Sequence, residues 1–308
     1  MALDRRSFLG STTKGLLAAV AGAFLGTGCR SMQSPSCAKE KRVIVGGHPW
    51  VYAATQPKYD IYPILDQIFA DMSYAGLDGI ELMHTALRHP DAVERIHALS
   101  DRHALPVIGT SFGGDMWDRS QHEAVYEDAR VVVTRLAKLG GRTLGTSVGK
   151  APQPKTAAQF DAQAELLRKI MALCSDNGVV LNLHNHTYEV ENGMHDLNGT
   201  LARIPEIKLG PDLNWLERAG VDPATFIEAF GDKIVFLHIR DQNADGTWSE
   251  AVGEGAMDYA AIGKALRAAN FSGDAVIELA HEQNFKLTRP LRDSLKMSRA
   301  YARQTLGY

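Results

Sequence analysis

Val179-Val180-Leu181-Asn182-Leu183-His184-Asn185-His186-Thr187-Tyr188-Glu189 begins as a β-branched apolar run and ends in two imidazoles and a carboxylate. A short apolar run of this kind reads as a strand covered on both faces, the form parallel sheets take. The two-residue period of a strand puts Asn182, His184 and His186 on one side. Glu189 falls just beyond, where the chain turns into a loop. Imidazoles and a carboxylate converging at one strand end suit a divalent metal or a proton-transfer site. Two histidines hydrogen-bonded at a strand terminus would look the same in isolation, so the ends of the other strands decide.

On both sides of this stretch, strand-like and helix-like segments alternate without interruption. Strands are expected at 42–46, 79–82, 106–110 and 143–147, with helices at 62–75, 91–102, 118–139 and 156–176. Gly140-Gly141 and Asn177-Gly178 supply helix stops. After the opening stretch come a helix at 195–203 and a strand at 207–212. A helix at 223–230, a strand at 234–238, a helix at 259–269, a strand at 275–279 and a closing helix at 288–304 complete the series. Eight βα units fit a closed barrel or an open doubly wound sheet. No Gly-x-Gly-x-x-Gly follows the first strand, and the count of eight favours a single-domain (β/α)8 TIM barrel over 42–308.

In such a barrel chemistry sits at the C-terminal ends of the strands. Strand one runs into His48 and strand two contains Glu81 and ends at His84. Strand five ends in His184, His186 and Glu189, strand six in Asp212, strand seven in His238 and strand eight in Glu278. Four consecutive strands therefore end in ligand-type residues. A mainly oxygen donor set with imidazole suits one hard or borderline divalent ion, Mn, Mg, Co or Zn. Such an ion can bind adjacent sugar oxygens and stabilise the enediolate left when a proton departs beside a carbonyl. A nearby carboxylate or histidine would move that proton.

The chain has 308 residues, 45% hydrophobic and 22% charged, an ordinary globular balance. Its first segment differs. Asp4-Arg5-Arg6-Ser7-Phe8-Leu9-Gly10 before an Ala/Gly/Leu-rich run resembles a twin-arginine export signal, and residues 1–29 are read as that leader. Leu25-Gly26-Thr27-Gly28 before Cys29 resembles a lipoprotein cleavage box, with a glycine at the usual aliphatic position. The expectation is export to the periplasm, with a lipid anchor at Cys29 as the route to a membrane. A linker follows at 30–41. Without residues 1–28 the chain holds 35 acidic and 30 basic residues, a net charge of −5. That balance argues against a nucleic-acid partner. Cys174 is the one cysteine after residue 41, so neither a disulfide framework nor a thiolate metal site is available.

Leu183-His184-Asn185-His186 with Glu189, Asp212-Leu213-Asn214-Trp215, Leu237-His238-Ile239-Arg240-Asp241, Gly253-Glu254-Gly255 and Gly273-Asp274-Ala275-Val276-Ile277-Glu278 resemble the sugar phosphate isomerase/epimerase superfamily, the xylose-isomerase-like barrels. The resemblance implies one divalent metal held by Glu, Asp, His and Glu from strands five to eight. Asp212, His238 and Glu278 match directly. The usual Glu-x-His of strand five is His184-x-His186 here, so Glu189 is expected to reach back to the metal, with His184 as the competing ligand. Glu189, Glu278 and His186 are the expected catalytic groups. His184, His186, Arg240, Glu81 and His48 are the expected substrate contacts, and Arg240 stands where a lysine is usual. His84 and Glu254 are further pocket candidates, and Trp117, Trp215 and Trp248 are candidate sugar platforms. The implied activity is isomerisation or epimerisation of a small-molecule sugar. Elimination or hydration of a keto-sugar, a non-catalytic sugar-binding lipoprotein and a metal-dependent endonuclease are the alternatives.

Overall fold

Parallel strands need long crossover connections, and the chain supplies a helical one after nearly every strand. A computed structural model describes residues 42–282 and 285–308; the leader, the linker and Cys29 lie outside them. The strands are β1 (Ile44–Gly47), β2 (Gly79–Met83), β3 (Val107–Gly113), β4 (Thr143–Ser147), β5 (Val180–Leu183), β6 (Lys208–Leu209), β7 (Phe236–Ile239) and β8 (Asp274–Ile277). The helices are α1 (Trp50–Ala53), α2 (Leu65–Tyr74), α3 (His84–Leu87), α4 (Ala92–His103), α5 (His122–Lys138), α6 (Ala157–Asp176), α7 (Thr187–Leu201), α8 (Leu213–Arg218), α9 (Pro223–Phe230), α10 (Tyr259–Ala268) and α11 (Leu291–Leu306).

The strands pair in the order β6-β5-β4-β3-β2-β1-β8-β7, all in parallel. The two ends of this row meet through isolated bridges, Leu209 to Ile234 and Asp212 to His238. Val235 N donates to Leu209 O at 2.9 Å and His238 N to Pro211 O at 2.9 Å, which closes the (β/α)8 barrel. β6 is shorter than its sequence suggests because Pro211 has no N–H to continue the ladder.

α7 begins at Thr187, directly after β5, rather than at His195. Its ladder is broken at Glu191–Met194, where Asn192, Gly193 and Met194 take left-handed φ values of 53°, 68° and 59°. α11 begins three residues later than expected because Glu250 accepts hydrogen bonds from both the N–H and the hydroxyl of Thr288 and Pro290 sets the first turn.

The main core lies between the strands and the helices, with Leu65, Phe69, Ile96, Val132, Leu167, Ile170, Ile227 and Leu266 buried there. A separate plug fills the barrel interior, made of Ile108, Phe236 and Val276 with Ile44 and Val235 against it. Ile108 reaches into space left by two glycines. A Cβ on Gly46 would meet its Cδ1 at 2.6 Å, and one on Gly79 its Cγ2 at 2.5 Å. Period-two geometry then places the next inward residues, His48, His238 and Glu278, one layer above the plug at the mouth.

Candidate metal and proton-transfer site

The inward side chains at the C-terminal ends of the strands form one buried polar cluster. His184, Asp212 and His238 have ligand atoms within 4.8 Å of one another. Nδ1 of His184 lies 3.0 Å from Nδ1 of His238, and Glu278 Oε2 lies 3.1 Å from the latter atom. Asp212, His238 and Glu278 are all buried. The ends of β5, β6, β7 and β8 are thereby brought together.

Each member is fixed by neighbours. Asp212 uses Oδ1 to cap α8, accepting from Asn214 N at 2.9 Å and Trp215 N at 3.0 Å, which aims Oδ2 inward. Asn185 holds the same backbone, accepting from Asp212 N at 3.1 Å. His238 Nε2 pairs with Glu81 Oε2 at 2.5 Å, so Nδ1 is the nitrogen that faces the cluster. Burial alone would lower the His238 pKa, but Glu81 and Glu278 outweigh it and hold it at about 9. His184 goes the other way: burial, reinforced by the charge on His238, keeps it well below the ordinary histidine range and therefore neutral. Burial opposes the charge on Glu278, yet Arg240, His48 and His238 together hold its pKa well below the usual carboxylate range.

His48 is also kept neutral by burial, against the pull of Glu278 and Glu81. Trp50 N donates to its Nδ1 at 3.2 Å, leaving Nε2 toward Ser111 Oγ at 3.1 Å. The cluster floors a cavity of about 210 Å³ lined by His48, Trp50, His84, His184, His186, Ser147 and Glu278, among others.

Glu189 does not join this group. Ser147 Oγ donates to its Oε1 at 2.5 Å and His186 N to its Oε2 at 2.6 Å, so the carboxylate caps the start of α7. The strand-five member of the cluster is His184. Glu81 and Arg240, expected as substrate contacts, are 1% and 2% exposed and do not line the cavity. Glu81 backs His238. Arg240 Nη2 lies 2.8 Å from Asp212 Oδ2 and 2.6 Å from Glu278 Oε1. Glu254 pairs with Arg289, and Trp117 stands apart from the cavity in the β3–α5 loop. Trp215 and Trp248 pack edge to face at 5.8 Å behind Arg240.

Sequence reasoning missed Ser147, which fixes Glu189, and Asn185, which positions Asp212. Period two from Gly145 would have pointed Ser147 inward. Asp241 accepts from Gly253 N at 2.9 Å and Gly255 N at 3.0 Å and shapes the loop between β7 and α10.

The donors fit a divalent ion. Two imidazole nitrogens and a carboxylate oxygen converge. Asp212 Oδ2 is buried without an aligned hydrogen bond, and Glu278 turns Oε2 toward His238 while Oε1 takes Arg240. Among the described residues this is the one His/Cys/Asp/Glu group with metal-ligand spacing.

Residues 69–301 match the model of the xylose isomerase-like TIM barrel family, and the chain belongs to that family. Among solved structures it is similar to D-allulose 3-epimerase from Methylomonas sp., at 19% identity and TM-score 0.72 over 86% of this chain and 99% of that one. L-ribulose 3-epimerase is 21% identical with TM-score 0.70, covering 86% and 95%. 3-keto-D-glucoside 4-epimerase from E. coli is 18% identical with TM-score 0.66, covering 84% and 100%. At these identities the likeness is one of fold. A comparison with curated protein sequences finds no match.

Proposed function

We propose that the protein is a metal-dependent sugar isomerase or epimerase that removes the proton beside a carbonyl of a keto-sugar and returns it. The observation carrying this reading is the meeting of His184, Asp212, His238 and Glu278 in one buried cluster, of which His184, His238 and Glu278 line the cavity. Similar barrels whose names describe sugar 3- and 4-epimerases support it, as does one described in complex with D-allulose.

His184, Asp212, His238 and Glu278 would hold one Mn, Mg, Co or Zn ion, which when bound supplies Lewis acidity toward adjacent sugar oxygens. Glu278 is the one carboxylate that lines the cavity, and we assign it the removal of the proton. Epimerisation needs a second group that brings a proton to the other face of the carbon, and we assign it to His186, which lines the same cavity and stands outside the ligand set. His48 binds hydroxyls from the wall. Glu189 keeps the entry to α7 in place, and a direct role for it in proton transfer is withdrawn from this reading.

The test is solvent exchange. Protein supplied with Mn²⁺ and offered a panel of keto-sugars in deuterium oxide should place deuterium beside the carbonyl and yield an epimer or aldose isomer. Glu278→Gln should lower that rate by roughly 10²- to 10⁴-fold. Absence of exchange with every sugar would end the reading, and release of water from the sugar would move it to a lyase.

A further inference from the structure

The two carboxylates nearest the candidate ion already share a cation that belongs to the chain. A single nitrogen of Arg240, Nη2, lies 2.8 Å from Asp212 Oδ2 and 2.6 Å from Glu278 Oε1, and all three side chains are buried. The guanidinium cannot swing away, because it lies over two indole rings, 5.3 Å from the centroid of Trp215 and 5.8 Å from that of Trp248. Trp248 is itself tied by Nε1 to Asn214 Oδ1 at 3.0 Å. Buried carboxylates without a counter-charge are strongly destabilising, and a divalent ion is the usual remedy in a site of this composition. Here the remedy is present before any ion arrives.

The pairing has a second effect. Asp212 Oδ1 is committed to the start of α8, so the oxygen left for an ion is the one beside Arg240. An incoming ion must share that oxygen with a fixed positive charge at a few ångströms, where interactions are weakly screened.

We propose that Arg240 is a positioning residue that serves as the resident cation of the site, holding Asp212 and Glu278 in their ligand poses without metal and weakening the grip on metal when it binds. The inference rests on the metal-binding reading above. Its consequence is a fold that does not need the ion and an ion that exchanges readily.

Arg240→Met and Arg240→Lys separate the two effects. Melting is followed in EDTA and in Mn²⁺, and Mn²⁺ affinity is read by equilibrium dialysis. In EDTA, Arg240→Met should melt several degrees below wild type, and Mn²⁺ should restore much of the loss. Its Mn²⁺ affinity should be at least tenfold tighter than that of wild type. Arg240→Lys keeps the charge but loses the planar group that lies over the two indoles, so it should melt lower in EDTA while binding Mn²⁺ about as weakly as wild type. An EDTA melting point unchanged in both variants, or an affinity in Arg240→Met no tighter than in wild type, overturns the proposal. Should Arg240→Met fail to fold with or without Mn²⁺, the two readouts on Arg240→Lys decide alone. Wild type that binds no Mn²⁺ while Arg240→Met does would support the inference and overturn the metal-dependent activity.

Discussion

His184 and Glu189 are close in sequence and differ in what their surroundings do with them. His184 extends the inward side of β5, while Glu189 is the third residue of α7, where a carboxylate is drawn back to the free N–H groups of the first turn. Ser147 then holds it there. His184→Ala should therefore reduce Mn²⁺ affinity by at least tenfold, whereas Glu189→Ala should leave it within a few-fold and cost about 1 kcal/mol of stability through the lost cap. Dialysis and denaturant melts on the two variants distinguish these outcomes. The reverse ranking would return Glu189 to the ligand set.

His84, on the wall of the same cavity, gives a pH dependence independent of the ion. Burial, with Arg88 adding to it, pushes its pKa down to about 4. An unfolded histidine titrates near 6.5, so the unfolded chain takes up a proton first as pH falls. The stability tied to neutral His84 is complete above pH 6.5 and is lost between about 6.5 and 4. The loss is on the order of 3 kcal/mol. Comparison of denaturant midpoints for wild type and His84→Gln across that range should show the wild-type curve falling more steeply. Parallel curves would refute the assignment.

Among the elements, helix ends show where local chemistry and fold disagree. α4 ends on Ala104 at φ 49° and ψ 40°, a left-handed conformation at an exposed position. The turns after α5 and α6 give that conformation to Gly140 and Gly178, which have no Cβ to strain. Ala104→Gly should accordingly raise stability by about 1 kcal/mol, read as a higher denaturant midpoint with an unchanged slope.

Most elements could be placed from sequence because parallel-sheet strands are short apolar runs and their helices are amphipathic, and both patterns are local. β6 was overextended because the effect of Pro211 depends on which neighbour its missing N–H would have met. The start of α7 was missed because Glu191–Met194 carries no helical pattern. At the site, period two puts His48, Asp212, His238 and Glu278 at strand ends, and the structure brings their side chains together. It could not foresee that Arg240, two residues past His238 and so expected on the same side, would be pulled behind the cavity by Asp212, Glu278 and the two indoles.

For the molecule as a whole, every pair of neighbours in the row of strands is joined by a parallel ladder, whereas its first and last members are not. There a two-residue strand and isolated bridges do the joining, and Asp212 and His238 face each other across that gap. The weakest stave joint thus runs through the proposed ion's seat, and an ion gripping both lips would act as a rivet for the whole cylinder. Amide hydrogen–deuterium exchange at Val235 and His238 should be faster than at Leu237 or Ala275 in metal-free protein and should slow on adding Mn²⁺. Equal protection in both states would mean that the seam is sealed by packing alone.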